Sequence, residues 1–333
     1  MKKTIRHECR KFFLCFFPVF LLLSVCLSGC KKTYTPVTLT TFALDTVCQI
    51  TFYDEADRAA CREALDLLPS YEMIFSRTKE GAELKALNDA KGSIFKASEE
   101  LYGLIEDALS FCVKSQGAFD ITLGGVSDLY DFVSEAHRIP TKEALAEALT
   151  HVGYEHIHLL SDHRIQVDDP ETVIDLGAIA KGYIADKLKE KLVSYNVKSA
   201  LISLGGNVLC VGSRPDGEDF VIGIKKPEKN TDELIRTESL SDKTLVTSGT
   251  YERGFEKDGI LYHHLLDPKT GEPVRNGYLS CSVIAESSET ADALSTLCFI
   301  LGPEASEGLI QAFPGVRLVF VSETGQVLEI GQN

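Results

Sequence analysis

The chain has 333 residues, 44% of them hydrophobic and 25% charged, and its 49 Asp and Glu outnumber its 34 Lys and Arg. That acidic balance excludes a nucleic-acid partner, because a phosphate backbone is bound by a surplus of cations. A smaller phosphorylated ligand would need local relief from the negative field, from a metal ion or a few placed cations.

Residues 1–11, MKKTIRHECRK, carry five Lys or Arg and one Glu, and the apolar run FFLCFFPVFLLLSVCLSGC follows them. A basic stretch and then a short apolar one read as a secretory signal. The run closes on Leu27-Ser28-Gly29-Cys30, which resembles the lipobox of bacterial lipoproteins, where the Cys receives a diacylglycerol and becomes the new N-terminus. The alternative is an uncleaved membrane anchor, but the run is short for a span and contains Pro18. The expected organisation is a signal peptide over 1–29, a lipidated tether over 30–39 and one elaborated domain over 40–333. Losing residues 1–29 takes the formal net charge from −15 to −19. Six Cys lie beyond Cys30: Cys48, Cys61, Cys112, Cys210, Cys281 and Cys298. None has CxxC or zinc spacing, and most sit in apolar runs, so small buried hydrophobes are expected, with a disulfide as the alternative.

From residue 38, TLTTFALDTVCQITFYD alternates and is rich in Thr, Val and Phe, which predicts one strand. Helical spacing follows over 55–68, 81–88 and 98–116, the last with Ser98 as N-cap, and over much of 126–152, where Thr141 caps TKEALAEALTHVG. Strands dominate after residue 153. HIHLLSDHRIQVDD reads as a hairpin turning at 161–163. Residues 172–197 read as a short strand, a Gly turn and a long amphipathic helix. SALISLGGNVLCVG, FVIGIKK, KTLVTSG, ILYHHLL and LSCSVIAES are further strand candidates. Helices over 289–302 and around 303–313 precede a closing hairpin, VRLVFVSETGQVLEI. The predicted class is α+β: a mostly antiparallel sheet with helices packed on it and a helix-rich N-terminal half.

Four Gly-containing turns follow apolar strands directly: DLGAIAKG (175–182), SLGGN (203–207), TSGTYER (247–253) and HLLDPKTGEP (264–273). Such turns let backbone approach a ligand closely. Lys181 stands in the first turns of a helix, where anions are favoured. Of His263 and His264, strand alternation turns at most one toward a given site, and a neutral imidazole there is a candidate general base. In ETADALSTLCFILG (289–302), Asp292 and Thr296 stand four apart on one face of an otherwise apolar helix. They resemble in kind a magnesium pair, completed by phosphates and water. Capping by Asp292 and a bond from Thr296 to the carbonyl of residue 292 would explain them equally well.

These five pieces, in this order, resemble the FAD:protein FMN transferases, the ApbE-type flavin transferases, over about residues 40–325. LDT (44–46), FSR (75–77) and GAFDIT (117–122) add to the match. The resemblance implies an ApbE-like fold and a lipid-anchored enzyme that binds FAD and Mg²⁺. The enzyme would cleave the pyrophosphate, attach FMN to a Thr of a target protein and release AMP. It implies Asp292, Thr296 and the Ala178 carbonyl at the metal, and Lys181 at the nucleotide. Leu44, Thr78, Ala118, Phe119, Asp120 and Leu265 would lie at or near FAD, with His264 as base. Implied acceptors are subunits of Rnf-type or sodium-translocating NADH:quinone reductase complexes. The implied place is the periplasmic side of the inner membrane, with the inner leaflet of the outer membrane as the alternative. Two positions depart from the family pattern on the flavin side, Gly125 where Pro is usual and Leu44 where Met is common. An FAD pyrophosphatase yielding FMN and AMP, and a non-catalytic flavin-binding lipoprotein, remain the alternatives.

Overall fold

Eight strands lie side by side in the same order as they occur in the chain, every neighbouring pair antiparallel. They are Val37–Ala43, Thr46–Phe52, Ser199–Leu204, Asn207–Gly212, Thr244–Gly249, Tyr278–Ala285, Arg317–Ser322 and Val327–Ile330. The structure is a computed structural model that describes residues 34–132, 137–228 and 231–331. The expected signal peptide, its expected cleavage point and Cys30 lie outside the described residues. Among the described residues, no helix is long and apolar enough to cross a membrane.

The class is α+β, as the pattern predicts, and strand alternation explains why both sheet faces are covered. Leu209, Val211, Val246, Val283, Leu318 and Phe320 point into the main core. Their neighbours Cys210, Leu245, Ile284 and Val319 point to the other face. The helices Ala180–Ser194 and Ser288–Leu309 pack on the first face. The hairpin of Phe220–Lys225 and Leu234–Leu240 covers the second with Phe220, Ile222, Ile224 and Leu240. A chain of ion pairs supports that hairpin: Arg317 binds Glu238 at 2.7 Å and Glu329 at 2.8 Å, and Arg236 binds Glu329 at 2.7 Å.

The structure corrects several predicted boundaries. The first strand is two, turned at Leu44 and Asp45, whose φ values of 55° and 56° make a tight two-residue hairpin. Alternation continues through such a turn, so the pattern alone hides it. The helix over 55–68 is interrupted at Asp66 and Leu67, and Leu68–Phe75, with Pro69 in its first turn, is a further helix. Among the described residues, the helical region 126–152 contains two short helices, Gly124–Leu129 and Lys142–Leu149. Both predicted caps are present, Ser98 accepting from the Leu101 amide and Thr141 from the Ala144 amide. The last long helix is kinked at Gly302, which has φ 74° just before Pro303. That kink separates the two helices expected on either side of it. All six cysteines are buried and free, so the disulfide alternative falls.

Candidate active site

Sheet register brings two of the Gly turns, at 203–207 and 247–253, to one end of the sheet. Leu204 pairs with Asn207 across Gly205-Gly206, and Cys48 pairs with Leu204, so the turn at 205–206 lies beside the hairpin turn at 44–45. The Thr244–Gly249 strand runs antiparallel to Asn207–Gly212, which carries Ser248 and Gly249 to the same end. There the helices Ala180–Ser194 and Ser288–Leu309 cross.

Asp292 sits at that crossing, only 4% exposed. Its Oδ2 accepts the Gly182 amide at 2.9 Å and its Oδ1 accepts Asn207 Nδ2 at 3.0 Å. Lys181 Nζ stands 3.9 Å from Oδ1. A buried carboxylate is stable only when paired and hydrogen-bonded, and these three groups supply both. Asp292 is not the helix cap: Ser287 is, accepting from the Thr290 amide at 3.1 Å. Nor does Thr296 bond back to the carbonyl of residue 292; Ser295 Oγ does, at 2.8 Å. Both parts of the capping explanation therefore fail, and the polar face of this helix turns toward other elements. Thr296 Oγ1 lies 3.1 Å from Ser248 Oγ in the TSGTYER turn.

The DLGAIAKGYIAD segment folds to serve this crossing. Gly182 has no room for a side chain, since a Cβ there would lie 2.2 Å from the Ser288 carbonyl oxygen. Its amide goes to Asp292 rather than back to Ala178, and among the described residues no backbone amide donates to the Ala178 carbonyl. Asp186, one turn further on, accepts from the amides of Ser288 at 2.9 Å and Glu289 at 3.0 Å and from Ser287 Oγ at 3.0 Å. It thereby satisfies first-turn amides of the other helix. Burial raises the Asp186 carboxyl above its usual range, and the same three donors oppose the rise.

The two histidines have different surroundings. His263 is buried against Phe299, and its Nε2 donates to the Val274 carbonyl at 3.1 Å. The strand Ile260–His263 ends there, and His264 beyond it lies within electrostatic reach of Lys181. His264 Nδ1 lies 3.2 Å from the Arg253 carbonyl. A carbonyl only accepts, so Nδ1 carries the proton and Nε2 keeps a free lone pair. Burial pushes the His264 imidazole down to about 4; the bond to the Arg253 carbonyl opposes this, and the charges of Arg253, His263 and Lys181 add to it. His264 is therefore neutral at neutral pH.

The pieces expected on the flavin side are tied to one another. The Leu44 amide donates to Glu72 Oε1 at 3.1 Å, and Lys79 pairs with Glu72. Arg77 binds Asp175 and Asp128, each at 2.8 Å, joining FSR to DLGAIAKG. The Asp175 amide donates to the Ile121 carbonyl at 2.7 Å, joining GAFDIT to the same turn. Within these pieces the side chains differ in availability. Phe119 and Leu265 are core residues, each 3% exposed. Asp120 accepts from the Thr122 amide and hydroxyl and from the Tyr154 amide. Ala118 packs partly buried on the core, and Thr78 is exposed, with Ser76 as its hydrogen-bond partner.

Asn207, Ser248, Gly182 and Asp186 lie inside the SLGGN, TSGTYER and DLGAIAKGYIAD segments, but the sequence assigns none of them a role of its own. The available signal was a polar residue at a fixed offset from a Gly turn inside an apolar strand or helix, which also describes many ordinary turns.

Among the described residues, no group of three or more His, Cys, Asp or Glu could hold a metal ion. A cation here would draw on fewer than three such side chains together with neutral oxygens. Asp292, the unclaimed Ala178 carbonyl and the Thr296 hydroxyl are such a hard-oxygen set, and they fit Mg²⁺, which needs few protein ligands when phosphates and water complete its shell.

The ApbE family model matches residues 44–320. The chain is 36% identical to an FAD:protein FMN transferase of Treponema pallidum, covering 84% of this chain and 82% of that protein. It is 31% identical to one from Klebsiella pneumoniae, covering 82% and 85%. Among solved structures, the ApbE protein of Thermotoga maritima superposes with a TM-score of 0.82 at 34% identity, covering 89% of this chain and 97% of that one. The flavin transferase ApbE of Vibrio cholerae superposes with a TM-score of 0.79 at 26% identity, covering the same shares.

Proposed function

The chain belongs to the ApbE family, and on that premise we propose that it is an FAD:protein FMN transferase acting through Mg²⁺ on a Thr hydroxyl. The observation that carries this reading is the buried Asp292 carboxylate, with Lys181 beside it, Thr296 one turn on and His264 within electrostatic reach of Lys181. Asp292, Thr296 and the Ala178 carbonyl would hold Mg²⁺, which when bound supplies charge neutralisation to a diphosphate. Lys181 Nζ offers a second positive charge on the same side, and its own carboxylate partner holds it there. His264 Nε2 has the lone pair to take the proton of the acceptor hydroxyl. The Thr oxygen forms a bond to the flavin-side phosphorus, the bond to the bridging oxygen breaks, and AMP leaves with that oxygen. An imidazole held near pKa 4 is by itself a weak base. A diphosphate beside it would raise its affinity for a proton, because an anion favours the charged form.

The test is incubation of the protein with FAD, Mg²⁺ and a Thr-containing acceptor, reading flavin fluorescence on the denatured acceptor together with AMP. Free FMN and AMP without labelled acceptor would establish the pyrophosphatase, and absence of AMP the binder. His264→Ala is expected to keep FAD binding and lose transfer, by about 10²–10⁴-fold for removal of a general base. Transfer at the parental rate would remove His264 from its role.

We also propose that Cys30 is lipidated and holds the enzyme on the periplasmic side of the inner membrane, where acceptor subunits of Rnf-type or sodium-translocating NADH:quinone reductase complexes would meet it. The Leu27-Ser28-Gly29-Cys30 ending supports this. Cys30→Ser is expected to move the protein from the membrane to the soluble or unprocessed fraction; unchanged fractionation and mass would reject the anchor.

A further inference from the structure

Three hydroxyls form an unbroken chain behind the proposed cation site. Ser248 Oγ lies 3.1 Å from Thr296 Oγ1 and 2.8 Å from Ser295 Oγ, and Ser295 Oγ lies 2.8 Å from the Asp292 carbonyl oxygen. Ser295 is fully buried and Ser248 is 8% exposed, so water does not compete freely for these bonds. Each hydroxyl has one proton to donate, and a carbonyl can only accept. The direction of the whole chain follows from its last link. Ser295 must give its proton to the Asp292 carbonyl, since two lone-pair oxygens at that distance would otherwise repel. With that proton committed, Ser248 must donate to Ser295. Ser248 then has no proton left, so Thr296 must donate to Ser248.

We infer that Ser248 and Ser295 are positioning residues that set the proton of Thr296. They draw it inward and leave the Thr296 oxygen with its lone pairs free to face a cation beside Asp292. The consequence is chemical as well as geometric. A hydroxyl that pointed its proton at the cation would repel it, and one free to rotate would lose part of its affinity to ordering. Here the orientation is set before the metal arrives, and the anchor is the main-chain carbonyl of the same residue whose carboxylate is the charged ligand. Side-chain and main-chain oxygens of Asp292 thus serve one site from two directions. The inference rests on the cation reading of Asp292 and Thr296, and the experiment separates the two.

The probe is Mn²⁺ alone, titrated into the full-length protein and followed by loss of the free-ion electron paramagnetic resonance signal. Thr296→Ala is the control for the site, and Ser248→Ala tests the chain. Removing a group that orients a ligand typically weakens a metal about 10–100-fold, so Ser248→Ala is expected to raise the Mn²⁺ dissociation constant by about tenfold. Adding Ser248→Ala to Thr296→Ala should then cost little more, because Ser248 acts through Thr296. If Thr296→Ala leaves Mn²⁺ binding unchanged, the cation reading fails. If Thr296→Ala weakens binding while Ser248→Ala does not, the site stands and the positioning role is overturned. Ser295→Ala covers the case in which Ser248→Ala does not fold. It frees the Ser248 proton to turn on Thr296, and several-fold weaker Mn²⁺ binding is expected; unchanged binding overturns the inference.

Discussion

Asp292→Ala is expected to abolish turnover, by on the order of 10³-fold or more, since a catalytic metal and its ligand field supply several kcal/mol. The substitution removes the one carboxylate of the proposed cation site. It also leaves the Gly182 amide and Asn207 Nδ2 without their acceptor and Lys181 without its counter-charge. Unsatisfied buried donors cost about 1–3 kcal/mol each, so thermal stability should fall as well. Asp292→Asn separates the two effects. It retains an acceptor for one of the donors and loses the charge, so it should recover part of the stability and little of the activity. Measurement of turnover across a Mg²⁺ titration, beside the melting temperature, checks both. Activity that persists in Asp292→Ala with its Mg²⁺ dependence intact would sink the metal assignment.

Gly182→Ala is the second large effect, and it acts through geometry alone. The new Cβ would lie 2.2 Å from the Ser288 carbonyl oxygen and 2.7 Å from Asp292 Cβ. The first neighbour is backbone, so no side-chain rotation relieves the clash, and the two helices must part. Overpacking of this kind costs about 1–3 kcal/mol, and more where backbone has to move. Separation of the helices also stretches the 2.9 Å bond from the Gly182 amide to Asp292 and shifts the carboxylate relative to Lys181. A misplacement of about 1 Å at a reacting centre can cost 10²-fold in rate. A lower melting temperature together with a comparable loss of activity is expected. A variant with parental stability and turnover would show that the crossing tolerates a wider spacing, and that Gly182 is not what holds Asp292 in place.

Several parts of this architecture were legible because they depend on local periodicity. Alternation marked most of the eight strands, and the caps at Ser98 and Thr141 marked two helix starts that the structure contains. Alternation does not by itself separate His263 from His264, because the strand ends at His263. The same signal concealed the hairpin at Leu44 and Asp45, because its two residues carry no glycine. The helix ETADALSTLCFILG shows where local reading ends. Its apolar residues Ala291, Leu294, Leu297 and Cys298 are buried as their spacing predicts, yet Asp292 and Ser295 are buried too. A polar residue inside an apolar helix is a statement that a partner exists, and nothing local says which.

By itself, the sequence determined the class, the succession of strands and helices, and the short list of polar residues that break apolar patterns. The motif order carried the family as well. Only the tertiary structure decided who meets whom. Asp292 finds Asn207 across 85 residues and the Gly182 amide across 110, and Thr296 finds Ser248 across 48. Periodicity specifies the face a residue presents, whereas the partner on that face is set by sheet register and by how closely two helices can cross. That closeness depends on the missing side chain of Gly182, and the burial of Asp292 between the two helices depends on it in turn.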